Sequence, residues 1–219
     1  MSSSGLTRLG GAWRLYSPAR AKKIIGRLAD CIGQMQERYG IPGAYLQAVL
    51  FQEMTAIDVL DILADWGVEL YWIKFGLLSG VRRILKKPPL REFPGGALNK
   101  RDSSTGYAQV FGRTAILAIR FSLEKGLDEG PQALGLPGVP DENEPDDLRR
   151  VWYRLHRDPR FNLRMAALTL LSAAEEMTGR IDFSGYSPEE IQLIFTRYNA
   201  SAKAVTAYGR EAYQYYIGL

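Results

Sequence analysis

Residues 44–56, Ala-Tyr-Leu-Gln-Ala-Val-Leu-Phe-Gln-Glu-Met-Thr-Ala, constrain the fold of this chain most. Leu46, Val49, Leu50 and Phe51 recur at helical spacing, and Ala48 and Ala56 are small enough to let other helices come close. The run therefore predicts a helix with an apolar face. It carries one carboxylate, Glu53, near its end. If Glu53 lies at the edge of the apolar face, burial disfavours its ionised form and raises its pKa. A carboxylic acid that keeps its proton near neutral pH is what glycosidic-bond cleavage needs. The plain alternative is a surface glutamate or an ion-pair partner, since structural ion pairs perturb carboxylates too.

Caps and breakers divide the rest of the chain. Ser17-Pro18 is a helix start, with Ser at the N-cap and Pro in the first turn. That helix is expected to reach about residue 39, with Ile24, Ile25, Leu28, Ile32 and Met35 inward, and Gly40 stops it. Pro42 opens the Glu53 helix, which the pattern continues through Ile57, Leu60, Ile62 and Leu63 to Gly67. Asp58, Asp61 and Asp65 share one face and read as a solvated stripe. Residues 68–85 form a second apolar segment, rich in aromatics and ending in Arg82-Arg83-Ile84-Leu85-Lys86-Lys87. It reads as a buried helix or as one lying on a membrane surface. Pro88-Pro89 breaks it, and residues 88–105 form a loop.

Helical patterning resumes through Ala115, Leu117, Ala118 and Phe121. Residues 126–147, with four prolines and an acidic patch, form a second long loop of the kind that is functional or mobile. Helices are then expected over 148–157 and about 160–178. Another follows Ser187, which with Glu190 makes a capping box, and the last covers about 201–217. No run alternates like a strand, so the fold class is mainly α. Residues 1–17 read as a flexible segment and 18–219 as a single helical domain.

Composition removes several functions. The net charge of +4 and pI near 9.1 are mild, and the basic residues are dispersed. They favour anionic partners such as envelope polymers, or simply a solvated surface. With neither a basic stripe nor a helix-turn-helix, nucleic acid is not an expected partner. One cysteine, Cys31, excludes an internal disulfide framework and a multi-Cys metal site, and reads as a small core residue. One histidine, His156, rules out sites built on His pairs and reads as surface. No metal or cofactor is expected. No apolar run reaches the roughly 20 residues of a membrane span. The first residues lack a secretory-signal pattern. The expectation is a mature chain, part of a larger protein, or export by another route.

Four motifs occur in order: Ala48-Val-Leu-Phe-Gln-Glu53; Ser104-Thr-Gly106-Tyr-Ala-Gln109-Val110; Asp158-Pro-Arg-Phe-Asn162-Leu, followed by a small-residue helix; and Tyr198-Asn199-Ala200. Together, over about residues 40–216, they resemble the soluble lytic transglycosylase and goose-type lysozyme superfamily, which cleaves peptidoglycan. The resemblance implies a lysozyme-like helical domain. Here it carries a long helical insertion, about 57–103, between the Glu helix and the Gly-x-x-Gln turn. It implies that Glu53 is general acid and then general base on the bond between N-acetylmuramic acid and N-acetylglucosamine. The product is a 1,6-anhydro sugar or a hydrolysed end. The partner is the glycan strand of the cell wall, wherever the protein is delivered to it.

On the same resemblance, Gly106 lets the backbone approach the sugar, and Tyr107 and Gln109 meet substrate or orient Glu53. Tyr198 hydrogen-bonds near Glu53, with a satisfied core tyrosine as its alternative, and Asn199 shapes that turn. Asn162 is read as structural, capping the helix after Asp158-Pro159. Asp102, in the polar loop before Gly106, is the possible second carboxylate, against the alternative that it bonds its own backbone. Ser103, Ser104 and Thr105 have no evident base partner and do not suggest a serine nucleophile.

The chain departs from the family pattern at Met54, which follows the glutamate where Ser is usual, in the long insertion, and at Ala200 in place of Gly. These departures motivate a second reading, a catalytically degenerate module that binds glycan or a protein partner. A membrane-active helix at 68–85 is a third.

Overall fold

The computed structural model of the chain describes residues 7–9, 12–88, 90 and 100–219, and is mainly α-helical among them. Part of the N-terminal segment expected to be flexible is regular. Thr7–Leu9 (β1) pairs antiparallel with Ala12–Arg14 (β2). The Arg14 guanidinium donates to the carbonyls of Thr55 and Ala56 at 3.1 and 2.5 Å, supplying partners to a helix C-terminus.

Ser17 starts a helix as expected, its hydroxyl accepting from the Arg20 N–H. One helix was anticipated to residue 39, but there are two: α1 (Pro18–Arg27) and α2 (Ala29–Tyr39). The hydrogen-bond ladder slips at Leu28, whose N–H is shared between the Ile24 and Ile25 carbonyls. Gly40, at φ +70°, ends α2. α3 (Gly43–Ala56) carries Glu53 and stops at Ile57, which is extended.

Here the expected continuation to Gly67 fails. The Asp58 carboxylate accepts from the Leu60 and Asp61 N–H groups, and Asp61 accepts from the Asp58 N–H at 2.9 Å. This reciprocal box satisfies the orphan donors of a new helix start. α4 (Val59–Ile84) then runs 26 residues without a break at Gly67. The acidic stripe is thus no solvated face. Asp65 accepts from the hydroxyls of Ser103 (2.6 Å) and Thr105 (2.8 Å). Of loop 88–105, residues 89 and 91–99 lie outside the described residues.

Two short strands follow, β3 (Ser104–Thr105) and β4 (Val110–Phe111), paired antiparallel around residues 106–109. α5 (Gly112–Glu124) leads into the second loop, which contains a 3₁₀ turn at Pro131–Leu134. Then come α6 (Pro145–Arg157), α7 (Pro159–Thr178), α8 (Pro188–Asn199) and α9 (Ala207–Tyr216). α9 starts later than anticipated, because Thr206 is its cap.

α7 is the axis of the core. Ala166, Ala167, Leu168, Leu170, Leu171 and Ala174 are buried, and α2, α3, α5, α6 and α8 all pack on it. Its alanines let backbones approach from several sides. The second loop is anchored. Buried Asp128 accepts from Arg38 at 2.7 Å and Arg164 at 2.5 Å, and from the Tyr39 hydroxyl at 3.1 Å. The three donors belong to α2 and α7, so charge and hydrogen bonding are satisfied together. α4 is joined to α6 by Glu69–Arg157 at 3.0 Å and by Asp65 beside His156. His156 is not a plain surface residue. Its ring stacks on Trp152, centroids 5.2 Å apart. Thr105 sends its hydroxyl proton to Asp65, so His156 Nδ1, 2.9 Å away, donates to Thr105. The nearby Asp65 carboxylate raises the His156 pKa. No described helix is long and apolar enough to cross a membrane.

Candidate active site

Glu53 occupies the last turns of α3 and is 8% exposed. Its Oε1 accepts from the Tyr208 hydroxyl at 2.6 Å. Burial raises the carboxyl from 4.5 to about 7, against the Tyr208 bond, and the charge of Asp61 adds to the rise. Desolvation therefore dominates over hydrogen bonding. The carboxyl is thus shifted from the acidic range toward neutral pH, where it can exchange a proton. With Oε1 engaged as an acceptor, Oε2 is the oxygen that carries it. Burial and the Glu53 charge push the Tyr208 hydroxyl well above its ordinary value, so it remains a donor.

Tyr208 is delivered by local packing of α9. Thr206 caps that helix, its side chain accepting from the Gly209 N–H and its own N–H reaching Thr196 Oγ1 at 3.1 Å. A Cβ on Gly209 would stand 2.1 Å from Thr196 Oγ1 and 2.4 Å from the Gln192 carbonyl. Only glycine lets α9 lie this close to α8. That approach turns Tyr208 onto Glu53, 155 residues earlier in the chain.

Glu53 lines a cleft of about 570 Å³, together with Asp61, Gln109, Tyr198 and Asn199. Three of the residues expected around the acid from sequence, Gln109, Tyr198 and Asn199, thus share a cavity with it. None of the three makes a hydrogen bond to it. The Tyr198 hydroxyl donates to the Ala108 carbonyl at 2.7 Å, tying α8 to the β3–β4 turn. The Gln109 amide donates to the Gly106 carbonyl at 2.8 Å and accepts from Ser104 Oγ at 3.1 Å. Asn199 is exposed at the end of α8.

Gly106, Tyr107 and Asp102 are placed elsewhere. Gly106 and Tyr107 border a second cavity of about 290 Å³ that meets the first at Ile57, Asp61 and Gln109. Tyr107 packs edge-on against Tyr16 at 6.3 Å. Gly106, at φ +74°, admits Asn162 rather than an open approach to the cleft. A Cβ there would be 2.3 Å from Asn162 Nδ2 and 2.8 Å from the Leu155 carbonyl. Asn162 is structural, but as a clamp. Its amide donates to the Thr105 carbonyl and accepts from the Ala108 N–H, both at 2.9 Å. Asp102 gives both oxygens to the start of α5, accepting from Gly112 at 2.8 Å and Arg113 at 3.0 Å. Asp102 is not among the residues that line the Glu53 cleft. Burial raises its pKa, with those bonds opposing.

Asp61 and Tyr208 were not foreseen. Asp61 sat in an apparently solvated stripe, and its spacing from Asp58 was the available capping signal. Tyr208 had one: Thr206 and Gly209 mark a helix start that must pack tightly. No group of three or more His, Cys, Asp or Glu among the described residues could hold a metal ion. Comparison with protein-family models, with curated proteins and with solved structures finds no match to this chain in any of the three.

Proposed function

We propose that the chain is a glycosidase that cleaves the bond between N-acetylmuramic acid and N-acetylglucosamine in peptidoglycan, with Glu53 as the proton donor. One observation carries this reading. A buried carboxyl with a pKa of about 7, fixed by one tyrosine, forms part of the wall of an open cleft. Protonated Glu53 gives its Oε2 proton to the bridging oxygen as the glycosidic bond breaks. The sugar passes through an oxocarbenium-like state. Glu53, now ionised, takes a proton from the nucleophile that closes the reaction. If that is the C6 hydroxyl of the muramic residue, the product is a 1,6-anhydro sugar. If it is water, the product is a reducing end. Asp61 holds negative charge near Glu53 and so favours its return to the protonated form. The ordered motifs at Glu53, Gly106, Asn162 and Tyr198 resemble those of the lysozyme-like superfamily, and support the same reading.

The test is mass analysis of purified cell walls after incubation with the protein and with Glu53→Gln. Muropeptides released by the parent and not by the folded variant are expected, and their masses identify the product. Equal release by both removes Glu53 from the reaction. A second reading, a module that binds glycan without cutting it, draws on the hydrogen bonds of Gln109 and Tyr198, both of which are spent on the β3–β4 turn and not on Glu53. Saturable wall binding with no released product would favour it.

A further inference from the structure

The cavity of about 290 Å³ beside the Glu53 cleft takes no part in the proton transfer, yet it opens directly from that cleft. The two share Ile57, Asp61 and Gln109. Ile57 donates its N–H to the Glu53 carbonyl at 3.1 Å. The junction therefore lies one helical turn, about 5.4 Å, beyond the acid. That step is on the scale of a single sugar ring.

Two kinds of group line the cavity. Tyr16, Trp66 and Tyr107 supply aromatic rings, and Asp61, Gln109 and His156 supply polar atoms. The Tyr16 and Tyr107 rings meet edge-on at 6.3 Å and so brace one another. Trp66 is 63% exposed, whereas Trp72 and Trp152 are fully buried, so its indole does not serve the core. The polar groups are only partly spent. His156 engages Thr105 through Nδ1 and Asp61 engages the Asp58 N–H through Oδ2, and each side chain has a second polar atom.

A pyranose matches such a lining. Its C–H bonds lie against the electron-rich face of an aromatic ring, while its hydroxyl and acetamido groups take hydrogen bonds at the rim. A purely apolar ligand would cut Asp61, Gln109 and His156 off from water without replacing it. The Asp61 charge, which already acts on Glu53, disfavours a second carboxylate at the junction. N-acetylglucosamine, which is uncharged, therefore suits the cavity better than the muramic residue.

We propose that the second cavity binds an N-acetylglucosamine ring of the strand that Glu53 cuts, next along from the sugars in the cleft, with Trp66 as its stacking surface. The assignment rests on the glycosidase reading of that cleft. Trp66 and Tyr16 both lie outside the four ordered motifs.

The full chain carrying Glu53→Gln can hold a glycan without cutting it. Calorimetry with the N-acetylglucosamine hexamer is expected to show binding. Adding Trp66→Ala, at an exposed position and with folding checked by circular dichroism, should weaken it about tenfold, and Trp66→Phe should restore most of the loss. Leu77→Ala, at a residue 68% exposed on the same helix and outside the cavity lining, should change nothing. With Glu53 intact, Trp66→Ala should raise KM for soluble wall glycan. Hexamer affinity that ignores Trp66→Ala, or no hexamer binding at all, overturns the site. Equal loss with Leu77→Ala does so too, since it assigns the effect to the helix surface at large. Muropeptide release that survives Glu53→Gln removes the glycosidase reading alone, and Trp66-dependent hexamer binding then still upholds the cavity as a sugar site.

Discussion

Replacing Glu53 by Gln should stabilise the folded protein at alkaline pH and leave it nearly unchanged at pH 4. In the folded state the carboxyl ionises near pH 7, raised from 4.5, because α3 and its neighbours withhold water from it. In the unfolded chain it ionises at its ordinary value. Below pH 4.5 both states hold the proton and the group contributes no pH-dependent cost. Between the two values the unfolded state releases it first, so stability falls as pH rises. The rise from 4.5 to about 7, at about 1.4 kcal/mol for each pH unit, corresponds to about 3 kcal/mol. The cost levels off above pH 7. Gln cannot ionise, and its side-chain oxygen can still accept from Tyr208. The stability difference between variant and parent should therefore grow from near zero at pH 4 to about 3 kcal/mol at pH 8.5. Urea unfolding of both proteins across this range measures it, since every other titrating group cancels in the difference. Two curves separated by the same amount at pH 4.5, 6 and 8.5 would refute the reasoning. A gap that widens toward acid would mean that the site favours the charged form.

The other predictions concern the groups around the acid. Tyr208→Phe removes a bond that holds the Glu53 pKa down, so the alkaline limb of kcat/KM on wall glycan should move to higher pH; a limb that stays or moves down counts against the assignment. Asn162→Ala leaves the Thr105 carbonyl and Ala108 N–H without their partner, and should cost about 2–4 kcal/mol in denaturant unfolding. Asp102→Ala should lower stability by about 1 kcal/mol through loss of a helix cap, with muropeptide release retained; abolished release in a folded variant would restore it as a catalytic group.

Local signals made much of the helical order legible. Ser17 and Ser187 cap the helices their residue types predict, because a cap satisfies donors within three residues. The burial of Glu53 follows from its apolar run for the same local reason. The breaks at Leu28 and at Ile57-Asp58 were hidden, since apolar spacing continues across both. The three acids after α3 look alike in sequence. Two of them build the start of α4, and the third meets hydroxyls some 40 residues away. Strands of two residues are too short to show alternation. Asp102 serves a helix ten residues on, a distance at which sequence spacing says little about contact.

The tie between Glu53 and Tyr208 also bears on how the protein comes into being. A ribosome threads out the glutamate early and the tyrosine only after 154 intervening residues. Until then the acid lacks its anchoring hydroxyl, and helices already made lack the cover that α9 gives them. The Glu53–Tyr208 bond that fixes this carboxyl is therefore made only after the helix that carries Tyr208 has emerged and packed.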